Sequence, residues 1–166
     1  MMNATIGLLL RITVDGTPLV EFQAASCAAY LAIRHLNEGD SSIVALGSLA
    51  GIAIHAISRD TRSNEVDGIR AYLSALSGGA DVVIGAARSA VSIPVALLSG
   101  INRVPTVSYW SSAPRLSNTQ VYPYFGRTYP SDALLGKQMM KTATWYGWRS
   151  LGVVRLQDDE WAEVRL

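Results

Sequence analysis

Apolar residues along this chain fall into short unbroken runs, separated by segments with a helical period. Ala4 to Thr13 is the first run, continuous enough for a strand buried on both faces, and Asp15-Gly16 reads as the turn after it. From Val20 to Asn37 the residues Phe22, Ala25, Ala29, Ile33 and Leu36 recur at helical spacing, and Gly39 stands just beyond, where a helix stop belongs. Ser41 to Ile57 is rich in small and β-branched residues. Its second half, Gly51 to Ser58, predicts a strand, and its first half an inserted loop or hairpin. After the polar segment 59–64 a helix is expected with Ile69, Tyr72, Leu73 and Leu76 on one face, ended by Gly78-Gly79. A strand at Val82 to Ile84, a helix from Ser89 to Ile101 and a strand from Val104 to Ser108 complete a β-α-β-α-β-α-β alternation. That alternation predicts an α/β fold, a doubly wound parallel sheet with helices on both faces.

Beyond Trp110 the texture changes. Ser111 to Tyr124 carries Pro114, Pro123 and many polar residues and reads as an ordered loop. A short strand is expected at Tyr124 to Tyr129, then a helix over Asp132 to Tyr146 with Leu135, Met139 and Ala143 in line, then a buried strand at Leu151 to Leu156. A domain crossing is expected between Val121 and Asp132, so that residues 1–125 form one lobe and residues 126–166 the crossover and the start of a second. One trailing helix and strand are too little for a domain, and the sequence reads as a piece of a longer chain.

Composition narrows the function classes. The chain is 49% hydrophobic and only 16% charged, a low charged share for a free-standing soluble domain. That predicts a surface that continues into further sequence or covers a partner. The formal net charge of +1 leaves no polyanion footprint and argues against nucleic acid as a partner. Cys27 is the sole cysteine, set in an alanine-rich helical pattern, and reads as a buried small hydrophobe; no zinc spacing exists. The opening MMNATIGLLLRITVDG lacks a basic leader and its apolar run stops at Arg11, which suits a first strand better than a signal peptide. No run approaches the roughly 18 apolar residues of a membrane span. IGAARS lacks both GxGxxG and GxxxxGK[ST], and no catalytic constellation can be assembled. A non-enzymatic protein with no cofactor and no metal is expected.

Candidate chemistry gathers at two strand ends. In an open parallel sheet, ligands bind in the crevice beyond the carboxyl ends of the strands, and two such ends fall at Gly85 to Ser89 and at Trp110 to Ser112. Ser89 stands at a helix start, where a serine caps the helix and spare N–H groups can seat a carboxylate. Ser112 offers a hydroxyl at the neighbouring strand end. Asp132 begins a helix, as a dipole-compensating acid or as a partner for a ligand ammonium. Tyr129 and Trp110 are core or ligand-contacting aromatics. Arg88 reads as a solvated side chain, Asp60 as a turn-capping acid, and His35 and His55 as structural. Asp158, Asp159 and Glu160 lack the alternating pattern of a calcium loop and read as solvated.

Four segments carry a family resemblance: IGAARSAVSI, VPTVSYWSSAPRLSN, YFGRTYPSD and YGWRSLGVV. Their order and spacing resemble the first lobe of the type I periplasmic-binding-protein fold, and within it the extracellular ligand-binding region of class C G-protein-coupled receptors. The similarity is specific from about Asp81 to Val154, and it is stronger to the type-B GABA receptors than to the metabotropic glutamate receptors. The resemblance implies a clamshell that closes on a small amino-acid-like, zwitterionic ligand. It implies that Ser89 holds the ligand carboxylate and that Ser112 supplies a second hydroxyl. It sets Asp132 where the glutamate receptors place an acid near the ligand ammonium, and Tyr129 where the GABA receptors have a ligand-contacting histidine. Trp110 stands where small residues are usual. The basic residue that glutamate receptors carry on the first helix has no counterpart in QAAS, and Trp161 is the candidate for a second-lobe aromatic. A dimer through the first lobe and a place on the extracellular face of the plasma membrane follow from the same resemblance, with membrane contact only through sequence outside this chain. The alternative reading is a soluble solute-binding protein feeding a transporter.

Overall fold

A computed structural model describes residues 2–42 and 51–152. Its centre is a five-stranded parallel sheet built from β1 (Met2–Leu10), β4 (Ile52–Asp60), β5 (Val82–Ile84), β6 (Thr106–Ser108) and β7 (Phe125–Arg127), in the order β4-β1-β5-β6-β7. Between β1 and β4 a two-stranded hairpin, β2 (Thr13–Val14) and β3 (Thr17–Pro18), leads into helix α1 (Val20–Glu38). Helix α2 (Glu65–Ser77) joins β4 to β5, α3 (Ser89–Asn102) joins β5 to β6, and α4 (Asp132–Trp145) follows β7. The doubly wound α/β fold expected from the alternation is therefore the observed one.

Strand order sets the position of everything else. The chain steps from β1 outward to β4, then jumps back past β1 to β5 and continues the other way to β6 and β7. Right-handed crossovers put α1 on one face and α2 and α3 together on the other. The reversal lies between β1 and β5, so a crevice opens beyond their carboxyl ends. Two glycines permit the close approaches this requires. A side chain on Gly68 of α2 would run into Val91 of α3. Gly85, at φ +130°, lets the chain leave β5 against the Leu9 carbonyl of β1. The core between the sheet and the α2–α3 face contains Leu9, Tyr72, Val83 and Val95, and a second cluster of Ile93, Ala96, Leu116 and Tyr122 anchors the loop after β6.

Local signals account for most element ends. Asp15 and Gly16 both adopt positive φ in the β2–β3 turn. Gly39 closes α1 at φ +73°, donating to the His35 carbonyl. Asn64 caps α2 by accepting from the Asp67 N–H at 2.9 Å. Asp60 behaves as the turn-capping acid expected of it. Its carboxylate accepts from the backbone N–H groups of Ile12, Thr13 and Arg62 and from the Thr13 hydroxyl, tying the end of β4 to the strand beside it.

Some expectations need correction. Leu73 of α2, expected on one face with Tyr72 and Leu76, is exposed, while Tyr72 is fully buried. Cys27 is exposed, not buried: the inward stripe of α1 runs through Phe22, Ser26, Ala29, Ile33 and Leu36, and Cys27 lies one step round from it. Ala25, assigned to that stripe, is also exposed. Leu135 and Met139 of α4, expected to line up inward with Ala143, are open to solvent, while Ala143 is buried. His35 sits 3.8 Å from Asp40, and His55 is exposed on β4. Of the buried strand expected at 151–156, Leu151 and Gly152 are exposed and outside any strand, and the remainder, with the acid run at 158–160, Trp161 and most of the expected loop before β4, lies outside the described residues. Among the described residues no helix is long and apolar enough to cross a membrane, and no group of His, Cys, Asp or Glu could hold a metal ion.

Replacing Gly85 by alanine forces a side chain against the Leu9 carbonyl in a backbone region that favours glycine. Thermal unfolding followed by circular dichroism is expected to show a loss of at least about 2 kcal/mol, the cost of overpacking plus backbone strain. Burial pushes the Asp60 carboxyl up, but the hydrogen bonds from Thr13, Arg62 and Ile12 outweigh it and hold the group below its ordinary value of 3.8. Its stabilising contribution is present above that value and disappears as pH falls below 3.8 and through the lower folded value. Acid unfolding of Asp60→Asn is expected to lack this component, so that its curve flattens relative to the parent below about pH 4.

Candidate functional site

The crevice at the strand reversal is a cleft of about 380 Å³. Arg11 enters it from just past β1, Glu21 and Phe22 from the first turn of α1, residues 87–90 from the turn between β5 and α3, and Trp110 from just past β6. Four separate segments thus converge where the topology predicts a ligand site.

Its floor is a cluster of buried serines that hold two turns together. Where the chain leaves β5 and β6 its backbone groups depart from the sheet ladder, and buried ones must find other partners. The Ala86 carbonyl accepts from the Ser108 hydroxyl at 2.6 Å and from the Ser92 hydroxyl at 3.2 Å. Ser111 donates to the Ser92 oxygen at 2.7 Å, and the Ser111 N–H donates to the Ser108 oxygen at 2.9 Å. Ser89 accepts from the N–H groups of Ser112 and Ala113 at 3.2 and 3.1 Å. Arg127 of β7 clamps the same loop from below, donating to the Ala113 carbonyl at 2.9 Å and to the Ser117 hydroxyl. Burial lowers the Arg127 value while the Asp132 charge opposes that shift.

The five residues singled out in the sequence come together around this cluster. Ser89 is 3% exposed and lines the cleft. It does not cap its own helix: Arg88 holds the capping position, and Ser89 is the first helical residue, with its oxygen turned to the opposite turn. Ser112 is fully buried and its hydroxyl has no hydrogen-bond partner. Asp132 donates its N–H to the Ser112 carbonyl at 2.9 Å, is 6% exposed, and has one carboxylate oxygen, Oδ2, without a partner. A continuous path of hydrogen bonds therefore runs from Ser89 through Ser112 to Asp132. Trp110, half exposed, lies against Phe22 with ring centroids 5.3 Å apart, and Tyr129 stacks on its other side at 6.5 Å. Phe22 and Trp110 line the cleft, and Tyr129 continues the stack beyond its lining.

Sequence reasoning missed Arg11, Glu21 and Ser63. The Arg11 guanidinium lies over the Phe22 ring, 4.9 Å from its centroid, and its Nε donates to the Ser63 hydroxyl. Arg88, expected to be solvated, is exposed but donates to the Ser63 carbonyl at 3.1 Å. Burial pushes the neighbouring Tyr109 phenol up to about 12. The available signal was a charged residue directly ending an apolar strand run, at the strand where the topology reverses.

Comparison with known proteins places the chain in a family. The profile of the receptor family ligand binding region matches residues 24–165. Human metabotropic glutamate receptor 8 is 42% identical over 66 residues, which is 40% of this chain and 7% of that receptor. Subunit 2 of the human gamma-aminobutyric acid type B receptor is 30% identical over 109 residues, 64% of this chain and 12% of that protein. The chain thus spans a small fraction of the length of these relatives.

The two serines differ in structural duty. Ser89→Ala leaves two buried N–H groups unpaired and is expected to cost about 1–3 kcal/mol in urea unfolding, whereas Ser112→Ala removes an unpartnered hydroxyl and should stay within about 0.5 kcal/mol of the parent.

Proposed function

The chain belongs to the receptor family ligand binding region, and from that membership we propose that it forms the ligand-binding lobe of a class C receptor-like protein, taking a small zwitterionic amino acid in the cleft at the strand reversal. The observation that carries this reading is the pair of unsatisfied buried groups beside the cleft. Among the described residues seven buried side-chain polar atoms lack a partner, and two of them, the Ser112 hydroxyl and the Asp132 Oδ2, belong to residues joined by one hydrogen bond behind the cleft-lining Ser89; a buried polar group without a partner calls for an explanation. A ligand ammonium answers the carboxylate oxygen and a ligand carboxylate the hydroxyl. Ser89, at the start of α3, adds a hydroxyl proton and the positive end of the helix. Trp110 and Tyr129 cover the apolar part of the ligand.

In this reading residues 1–125 are the first lobe and residues 126–166 the crossover and the beginning of a second, which closes over the ligand. Closure transmits a signal only to the extent that the ligand binds the closed state better than the open one. The chain performs no chemistry of its own. The matched relatives are receptors, which favours a receptor at the extracellular face of the plasma membrane over a soluble carrier. A dimer through the first lobe has a suitable surface in the exposed Val66 and Leu73 of α2 and Leu97 and Ile101 of α3.

Calorimetric titration of the chain with a series of α-amino acids is expected to give saturable binding, weakened at least about tenfold when the ligand is N-acetylated or its carboxyl is amidated. Binding by none of them, or binding indifferent to both blocks, would overturn the assignment.

A further inference from the structure

The strand at the centre of the topology carries a motif that the cleft does not use. Asn3-Ala4-Thr5 is an Asn-x-Thr triplet with no proline in the middle, the acceptor pattern for an N-linked glycan. The chain's other asparagines, Asn37, Asn64, Asn102 and Asn118, have neither Ser nor Thr two residues on. Resting on the extracellular placement above, we propose that Asn3 is a glycosylation site. The step joins the anomeric carbon of an oligosaccharide to the Asn3 Nδ2. The bond from that carbon to a lipid-linked diphosphate donor breaks, the lipid diphosphate leaves, and the amide gives up one proton.

Geometry keeps that amide open although it stands on a strand of the sheet. Alternate residues share a face, so Asn3 and Thr5 lie on the same side of β1 as Gly7 and Leu9, the side covered by α2 and α3. The cover reaches only as far as Thr5. Leu9 packs in the core with Tyr72, and a side chain on Gly7 would run into Ala75. Asp81, just past α2, brackets Thr5: its N–H donates to the Thr5 carbonyl and its carboxylate accepts from the Thr5 N–H, both at 2.8 Å. Asn3 lies one step beyond and is exposed. The pairing of β5 starts at Ile6, so Asn3 has a strand neighbour on one side only, and that neighbour is the small Ala53. Among the described residues neither the Asn3 amide nor the Thr5 hydroxyl makes a hydrogen bond, so a glycan displaces nothing. The site also leaves the cleft free. A rise of about 3.3 Å per residue sets Asn3 roughly 26 Å from Arg11, at the amino end of β1, whereas the cleft opens past its carboxyl end.

The chain, directed into the secretory pathway of mammalian cells by a cleavable leader, is expected to carry one glycan. Peptide-N-glycosidase F then lowers its apparent mass in a single step and leaves aspartate in place of Asn3 by mass spectrometry, in cell lysate and medium alike. Asn3→Gln and Thr5→Ala are expected to abolish the shift, and Thr5→Ser to keep it, because serine also completes the motif. Should Asn3→Gln fail to accumulate, the contrast between Thr5→Ser and Thr5→Ala carries the test. A leader-processed chain with Asn3 unmodified would overturn the site and leave the extracellular placement standing. The same measurement on the protein from its own source separates the two claims. A glycan on Asn3 there supports both, while an unmodified Asn3 there beside a modified one on the leader-directed chain would overturn the placement and leave the acceptor site standing.

Discussion

Buried backbone groups at the ends of β5 and β6 are the constraint on which this structure depends. A short parallel strand that ends inside the protein leaves carbonyl and N–H groups past the last ladder bond, shielded from water and in need of partners. The chain answers with hydroxyls. Ser92 and Ser108 donate to the Ala86 carbonyl, and Ser89 accepts from two N–H groups of the opposite turn. The partners are 22 to 24 residues apart in sequence for the bonds that cross between the turns. The turns are therefore fastened to each other, and through Ser92 the first is also tied to α3.

That fastening works only because the layers beneath it approach closely. Gly85 passes against the Leu9 carbonyl, and Gly68 brings α2 onto Val91 at the start of α3. Both glycines act at the same end of the sheet, where α3 begins and β1 ends. A wider spacing at either place would move residues 87–90 relative to Arg11 and Phe22, and the cleft is made of that relation. The sheet order supplies the crevice, and the glycines set its width.

Much of this was legible in the sequence because parallel strands buried on both faces leave unbroken apolar runs, and helix ends leave local chemistry such as Gly39 and Asn64. The phase of α1 was not. A helix of many alanines gives weak contrast between faces, so Ala25 read as inward and Cys27 as buried, while the real stripe runs through Ser26, whose hydroxyl bonds back to the Phe22 carbonyl. The reading of α4 failed differently: Leu135 and Met139 have helical spacing, but spacing alone does not say which surface covers a stripe. At the site, Ser89 read as a cap because sequence proximity shows a hydroxyl its own helix and hides a partner 23 residues away. Arg11 was passed over because it follows directly on a strand; its place over the Phe22 ring appears only when α1 folds back against it.

The serine cluster also reverses the weight given to its members. Ser89 is the more conspicuous, standing at a helix start in the cleft wall, yet its oxygen already holds two buried N–H groups together, and a structure with no ligand at all would need it. Ser112 sits behind it, fully buried, with a hydroxyl that no protein group answers. An alanine there would fill the same space at lower desolvation cost. A polar atom kept in a place where the fold gains nothing from it is the stronger sign of a second molecule, and the same reasoning applies to the free oxygen of Asp132 one hydrogen bond away. The fold accounts for Ser89, Ser92, Ser108 and Ser111. It does not account for the Ser112 hydroxyl or the Asp132 Oδ2, which stay buried without a partner on either side of one hydrogen bond.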